Sequence, residues 1–171
     1  MKNFRHIALT ALLTIGSFAA ITYTSCTKDA CKDVTCQNGG TCSGGNCTCP
    51  TGYEGTSCET LSITKFVKNW IATDKTGSTT ISYTGVISPS GTDVTSAIIG
   101  NSFSDNFFTI GPITATISGN TITIPTQKPD GTSSDYSLSG TGTYANGAIT
   151  WSYTITQTST SATQVYTGTW Q

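Results

Sequence analysis

The sequence predicts an all-β protein in two parts, a small disulfide-rich module followed by an antiparallel β domain, and three observations carry that reading. Six of the seven cysteines fall between Cys31 and Cys58, and none follows. From Glu59 onward apolar and hydroxyl residues alternate with a period of two, the mark of strands with one buried face. Only 10% of the residues are charged, while Thr, Ser and Gly dominate. Thr suits a pleated, half-exposed surface better than a helix. The 171 residues leave room for one ordinary domain and a small module.

The chain begins with Lys2 and Arg5, then an apolar run from Ile7 to Ile21 and the short stretch Thr22 to Ser25. A charged start and a short apolar core make an export signal over 1–25, too short to span a membrane comfortably. Cys26 stands where cleavage would fall. The segment resembles a bacterial lipoprotein signal, with Tyr23 where that family usually carries an aliphatic residue. The resemblance implies that Cys26 receives acyl chains and becomes the first residue of the mature protein, followed by a short linker to residue 30. Several acyl chains anchor stably where one alone is marginal. An ordinary signal with a spare Cys26 is the alternative. Thr27 is not the Asp of an inner-membrane retention signal, and Thr27-Lys28-Asp29 resembles the export tag of surface-displayed lipoproteins. The expected location is the outer membrane of a Gram-negative-type bacterium, with surface display beyond it.

In the module the spacing is Cys31-x4-Cys36-x5-Cys42-x4-Cys47-x-Cys49-x8-Cys58. So short a segment cannot bury enough apolar surface to fold without covalent staples. Six cysteines allow fifteen pairings. The spacing, Asn38-Gly39-Gly40-Thr41-Cys42 and Gly52-Tyr53-Glu54-Gly55 together resemble an EGF-like domain over 31–58. The resemblance implies bridges Cys31–Cys42, Cys36–Cys47 and Cys49–Cys58. Gly39, Gly40, Gly44, Gly45, Gly52 and Gly55 are expected at positive φ. Zinc is disfavoured by the oxidising compartment and the Cys47-x-Cys49 spacing. Calcium is not expected either. The calcium-binding members carry several acidic ligands before the first cysteine, whereas Thr27-Lys28-Asp29-Ala30 offers one carboxylate to a cation that wants six or more oxygens.

In residues 59–171, Ile113, Ala115 and Ile117 alternate with Thr114 and Thr116, and Ile122 and Ile124 with Thr121 and Thr123, around the turn Ser118-Gly119-Asn120. Tyr136, Leu138, Gly140, Gly142 and Tyr144 share one face, and Ile149, Trp151, Tyr153 and Ile155 another, joined through Asn146-Gly147, a strong two-residue hairpin signal. Further strands are expected near Lys65–Thr73, Thr79–Ile87, Asp93–Ile99, Asn106–Ile110 and Gln164–Trp170. Eight or nine strands in sequential hairpins make a meander that must close or stack to protect its edges. A closed up-and-down barrel is the expectation, with a β-sandwich as the alternative. Length, Trp70 in the opening strand and Trp170 closing the last are similar to lipocalin-like barrels, although Lys68 replaces that family's Gly and its late Arg is missing. Phe66, Trp70, Tyr83, Tyr136, Tyr144, Trp151 and Tyr153, with Phe107 and Phe108, line a ligand cavity or fill a core. Small barrels do either.

Function narrows by exclusion. With Lys2 and Arg5 in the leader, six basic residues face nine acids in the body, a net charge of −3 that does not suit nucleic acid. His6 is the sole histidine and lies in the leader, so Ser-His and Cys-His chemistry have no base. Asp74, Asp93, Asp105, Asp130 and Asp135 sit beside turn-forming or hydroxyl residues and are expected in turns, where Asp serves local hydrogen bonds. No catalytic residue, metal or cofactor is expected. The sequence instead suggests a non-enzymatic binding or adhesion protein that meets a protein or glycan. The alternative is a lipocalin-like carrier of a small apolar ligand.

Overall fold

The structure, a computed structural model, describes residues 30–100 and 102–171. The export signal and Cys26 lie outside the described residues. The N-terminal module contains two short antiparallel pairs, β1 (Thr41–Ser43) with β2 (Asn46–Thr48), and β3 (Tyr53–Glu54) with β4 (Thr60–Leu61). Three bridges hold it, Cys31–Cys42, Cys36–Cys47 and Cys49–Cys58, the pairing the EGF-like resemblance implies. Gly40 departs from expectation, because it is absent from the positive-φ residues. Its hydrogen side chain is needed for space instead, since a Cβ there would lie 2.7 Å from Cys58 Sγ.

A 3-10 turn, Ser62–Lys65, leads into the barrel. Eight strands follow: β5 (Asn69–Thr76), β6 (Thr79–Pro89), β7 (Ser96–Ile99), β8 (Ile113–Ser118), β9 (Thr121–Gln127), β10 (Tyr136–Ala145), β11 (Ala148–Gln157) and β12 (Ala162–Trp170). Each pairs antiparallel with the next, and β12 returns to β5, so the sheet closes as an up-and-down barrel rather than a sandwich. The seam is completed by reciprocal backbone bonds between Ile71 and Gln171, 2.8 and 2.9 Å. Asn146 and Gly147 take φ of 51° and 83°, as a tight right-twisting hairpin requires.

Three expected strands differ. Asp93–Ile99 is extended only from Ser96, because Asp93 to Thr95 form a turn in which the Asp93 carboxylate accepts from Thr95 N–H and Ser96 Oγ. Lys65–Lys68 is not extended, because the chain is still leaving the 3-10 turn, where Phe66 and Val67 donate their N–H groups to Ile63 O. Asn106–Ile110 is not a strand at all: Ser104, Asp105 and Asn106 take φ of 53°, 55° and 61°, and the segment folds as a loop between β7 and β8. A pair of adjacent phenylalanines gives an apolar signal there, but the residues before them form a turn.

The strand alternation sorts the surface from the core. Inward lie Trp70, Ile113, Ile122, Leu138, Trp151, Tyr153 and Trp170, each no more than 1% exposed. Outward, one row of neighbours runs in register through Ser96, Thr116, Thr123, Thr141, Ser152, Thr167, Lys75 and Thr80. The barrel wall thus presents hydroxyls and little charge.

The module sits at the end where β5 begins. Ser62 N–H donates to Gly52 O at 2.9 Å, Lys65 Nζ reaches Glu54 at 2.5 Å and Asn120 Oδ1 at 2.6 Å, and a side chain at Gly52 would run into Val94. At this base Phe66, Trp70 and Tyr144 pack together, with ring centroids 5.7 and 6.4 Å apart, and the Trp70 indole N–H donates to Phe66 O at 2.8 Å. Lys68 Nζ lies 3.8 Å from the Trp70 ring centroid and supplies a cation to the ring.

Candidate functional site

The end of the barrel away from the module holds the chain's concentrated polar chemistry. Strand parity builds it. Trp70, Ala72 and Asp74 face inward from β5, so Asp74 is carried into the interior, fully buried. This corrects the expectation that Asp74 lies in a turn, since it belongs to the middle of a strand. Its Oδ2 accepts from Tyr83 Oη at 2.5 Å and Tyr153 Oη at 2.6 Å, and its Oδ1 accepts from Trp170 Nε1 at 3.3 Å. Gly168, opposite Asp74, leaves room for the carboxylate, because any Cβ there would collide with Oδ1.

Aromatic rings enclose the carboxylate. Tyr83 meets Trp170 edge-on at 5.9 Å, Trp151 lies 5.3 Å from Trp170, and Tyr166 stacks parallel on Tyr153 at 4.8 Å. Burial, and then the charge of Asp74, push the Tyr83 phenol far above its ordinary range; burial, and then Tyr83, do the same for Tyr153. Both therefore stay protonated donors. The ion pair among the described residues joins Lys65 and Glu54, at the opposite end, so Asp74 is held by neutral donors.

The β7–β8 loop closes this end. Phe103 drops into the barrel, fully buried, with its ring 4.7 Å from Tyr153, 5.6 Å from Trp170 and 5.7 Å from Trp151. Ser104 follows it in, and its Oγ lies 3.1 Å from Tyr153 Oη. Asp130 holds the far side of the loop by accepting from the N–H groups of Thr109 and Ile110 at 2.9 and 2.8 Å. Trp151 Nε1–H is buried and finds no acceptor among the described residues.

Outside the plug, a groove of about 350 Å³ opens between the loop and the rim strands. Phe107 and Tyr136 cross edge-to-face at 5.2 Å and are 39% and 38% exposed. Gln157, Thr163 and Gln164 supply polar groups to its wall. Asp135 ties the rim, accepting from Ser159, Thr158 and Gln157, which with Ser159 foremost hold its carboxyl down to about 2.

The aromatic residues singled out from the sequence therefore separate into three places. Phe66, Trp70 and Tyr144 pack at the base; Tyr83, Trp151 and Tyr153 surround the buried carboxylate; Tyr136 lies on the outer groove. Gly140 and Gly142 do not leave a void, because Cβ atoms there would strike Tyr153 and, at Gly142, Ile122, Ile149 and Trp151. Sequence reasoning missed Asp74 and Phe103 as site residues. The inward parity of Trp70-x-Ala72-x-Asp74 could have found the first. Nothing in the Ser/Asp/Asn-rich turn marks Phe103 as a plug.

Among the described residues no group of His, Cys, Asp and Glu is arranged to hold a metal ion, and no helix is long and apolar enough to cross a membrane. Compared with known proteins, the chain matches no family model, no curated protein and no solved structure.

Proposed function

We propose that this chain is a lipid-anchored, non-enzymatic binding or adhesion protein, held at the outer membrane through Cys26 and carrying its β-barrel outward on an EGF-like module. The observation that carries the reading is the filled interior. With Phe103, Trp151, Tyr153 and Trp170 in ring contact along the axis, the recognition surface offered to a large partner is the outside of the barrel. That outside is rich in hydroxyls and low in charge, and its exposed aromatic pair Phe107–Tyr136 lies at the end opposite the docked module. Neutral hydroxyls beside aromatic faces suit a glycan or a weakly charged protein surface. Exposed aromatics commonly supply the anchoring contacts of such interfaces.

The test is made in cells expressing the full chain. Cys26→Ala should move the protein from the membrane to the soluble fraction and abolish attachment of the cells to an immobilised glycan or protein partner. The paired change Phe107→Ser with Tyr136→Ser should leave the protein anchored while weakening attachment about tenfold or more, the loss expected for an anchoring aromatic contact. Membrane retention of Cys26→Ala would overturn the anchor. Attachment unaffected by deleting the chain would overturn the binding role.

A further inference from the structure

We infer that the barrel carries a second binding site, a carboxylate–aromatic box around Asp74 that accepts a small arylalkyl ammonium ion when the Phe103 plug swings out. This goes beyond the surface reading and does not depend on it.

Three observations converge on it. First, Asp74 is fully buried and its contacts are three neutral donors, Tyr83, Tyr153 and Trp170. A buried anion prefers a cationic partner, and a charge-assisted hydrogen bond is roughly twice as strong as a neutral one. Second, the surrounding rings are those that attract ammonium groups through their faces, two tyrosines and two tryptophans. Third, the space beside the box is taken by the chain's own phenyl group, delivered by an unusual turn. Ser104, Asp105 and Asn106 all have left-handed φ, 53°, 55° and 61°. L-residues visit that region singly, Asp and Asn more readily than the rest, and three in succession is an outlier located where the plug leaves the wall. The closed plug thus carries backbone strain that an open loop would release.

Phe103 accordingly acts as an internal stand-in for the aromatic part of the ligand. A ligand with a ring in that place and an ammonium group on a short tether would keep the aromatic packing and add the cation that Asp74 lacks. Opening the plug exposes Phe103 to water, so the native affinity is reduced by the fraction of molecules that are open.

The full-length protein is titrated by calorimetry with 2-phenylethylammonium and, in parallel, with the neutral isostere 2-phenylethanol. Trp151 and Trp170 fluorescence gives a second readout. The expected result is saturable binding of the ammonium ion and at least about tenfold weaker binding of the alcohol, with Phe103→Ala tightening the ammonium ion about tenfold or more by removing the competing plug. Asp74→Asn, which preserves the shape of the side chain, should abolish the preference for the ammonium ion. Equal binding of the two probes, or no binding by either native protein or Phe103→Ala, overturns the proposal. The native comparison alone decides the matter should either variant fail to fold.

Discussion

Asp135 shows how much chemistry one half-buried residue can organise. Its two oxygens accept from Ser159 N–H and Oγ, Thr158 Oγ and Gln157 Nε2, which joins the β9–β10 loop to the β11–β12 turn. Those donors favour the charged form and hold its carboxyl down to about 2, below the ~3.9 of an unfolded aspartate. Because the folded value is the lower one, the stabilising contribution is present above about pH 4 and is lost as pH falls through about 2. An NMR titration should therefore place the Asp135 carboxyl midpoint near 2, and Asp135→Asn should flatten the slope of stability between about pH 4 and 2. A midpoint near 4 would mean that the rim clamp does not form in solution. The local role of Asp135 was legible from its turn-rich neighbours. Asp74 was not, because a Thr neighbour suggests a turn while only strand parity shows an inward side chain. The residues that make its burial tolerable, Tyr83, Tyr153 and Trp170, come from three other strands.

At the scale of elements, strands whose sequence alternates strictly are where expectation and structure agree. Ile113–Ser118 shows the burial pattern of a strand with one inward face, and Asn146-Gly147 turns as its residue types require. The β7–β8 loop is where they part. Phe107-Phe108 gives the local signal of a strand, but three consecutive left-handed residues immediately before it break any pairing. The signal separating the two is long-range, because Phe103 earns its position by packing against rings from β11 and β12. If the turn is strained, relieving it should show. Asp105 is exposed with φ of 55°, so Asp105→Gly should stabilise the fold by about 0.5–1 kcal/mol in urea unfolding, since glycine adopts that conformation without the Cβ penalty. The same change at exposed Thr80 in β6 should destabilise by a similar amount. A neutral or harmful Asp105→Gly would mean that the loop stores no such strain.

For the whole molecule the question is whether module and barrel are one cooperative unit or two. In residues 30–58 only Gly52 and Cys58 are buried, so the module has almost no core of its own. Its order rests on bridges closing loops with sequence separations of 11, 11 and 9 residues, each worth roughly 2–3 kcal/mol in chain-entropy terms. The barrel has the opposite constitution, a continuous apolar and aromatic core without a cysteine. The contact between them is narrow, consisting of Ser62 on Gly52 and Glu54, Lys65 on Glu54, Leu61 of β4 against the edge of the barrel core and the packing of Gly52 near Val94. This division was visible in the sequence because cysteine spacing and strand alternation are local patterns, whereas the docking contact depends on how the ends of two folded units meet. Reduction by an excess of thiol should therefore unfold the module alone. Amide exchange over residues 31–58 should rise to the unprotected rate, while the near-ultraviolet circular dichroism of the packed tryptophans is kept. The barrel's thermal midpoint should fall by only a few degrees, the cost of losing a small number of contacts at its base. Loss of the tryptophan signal together with the module's protection would show a single cooperative unit, and the module would then have to be counted as part of the barrel's closure rather than as its support.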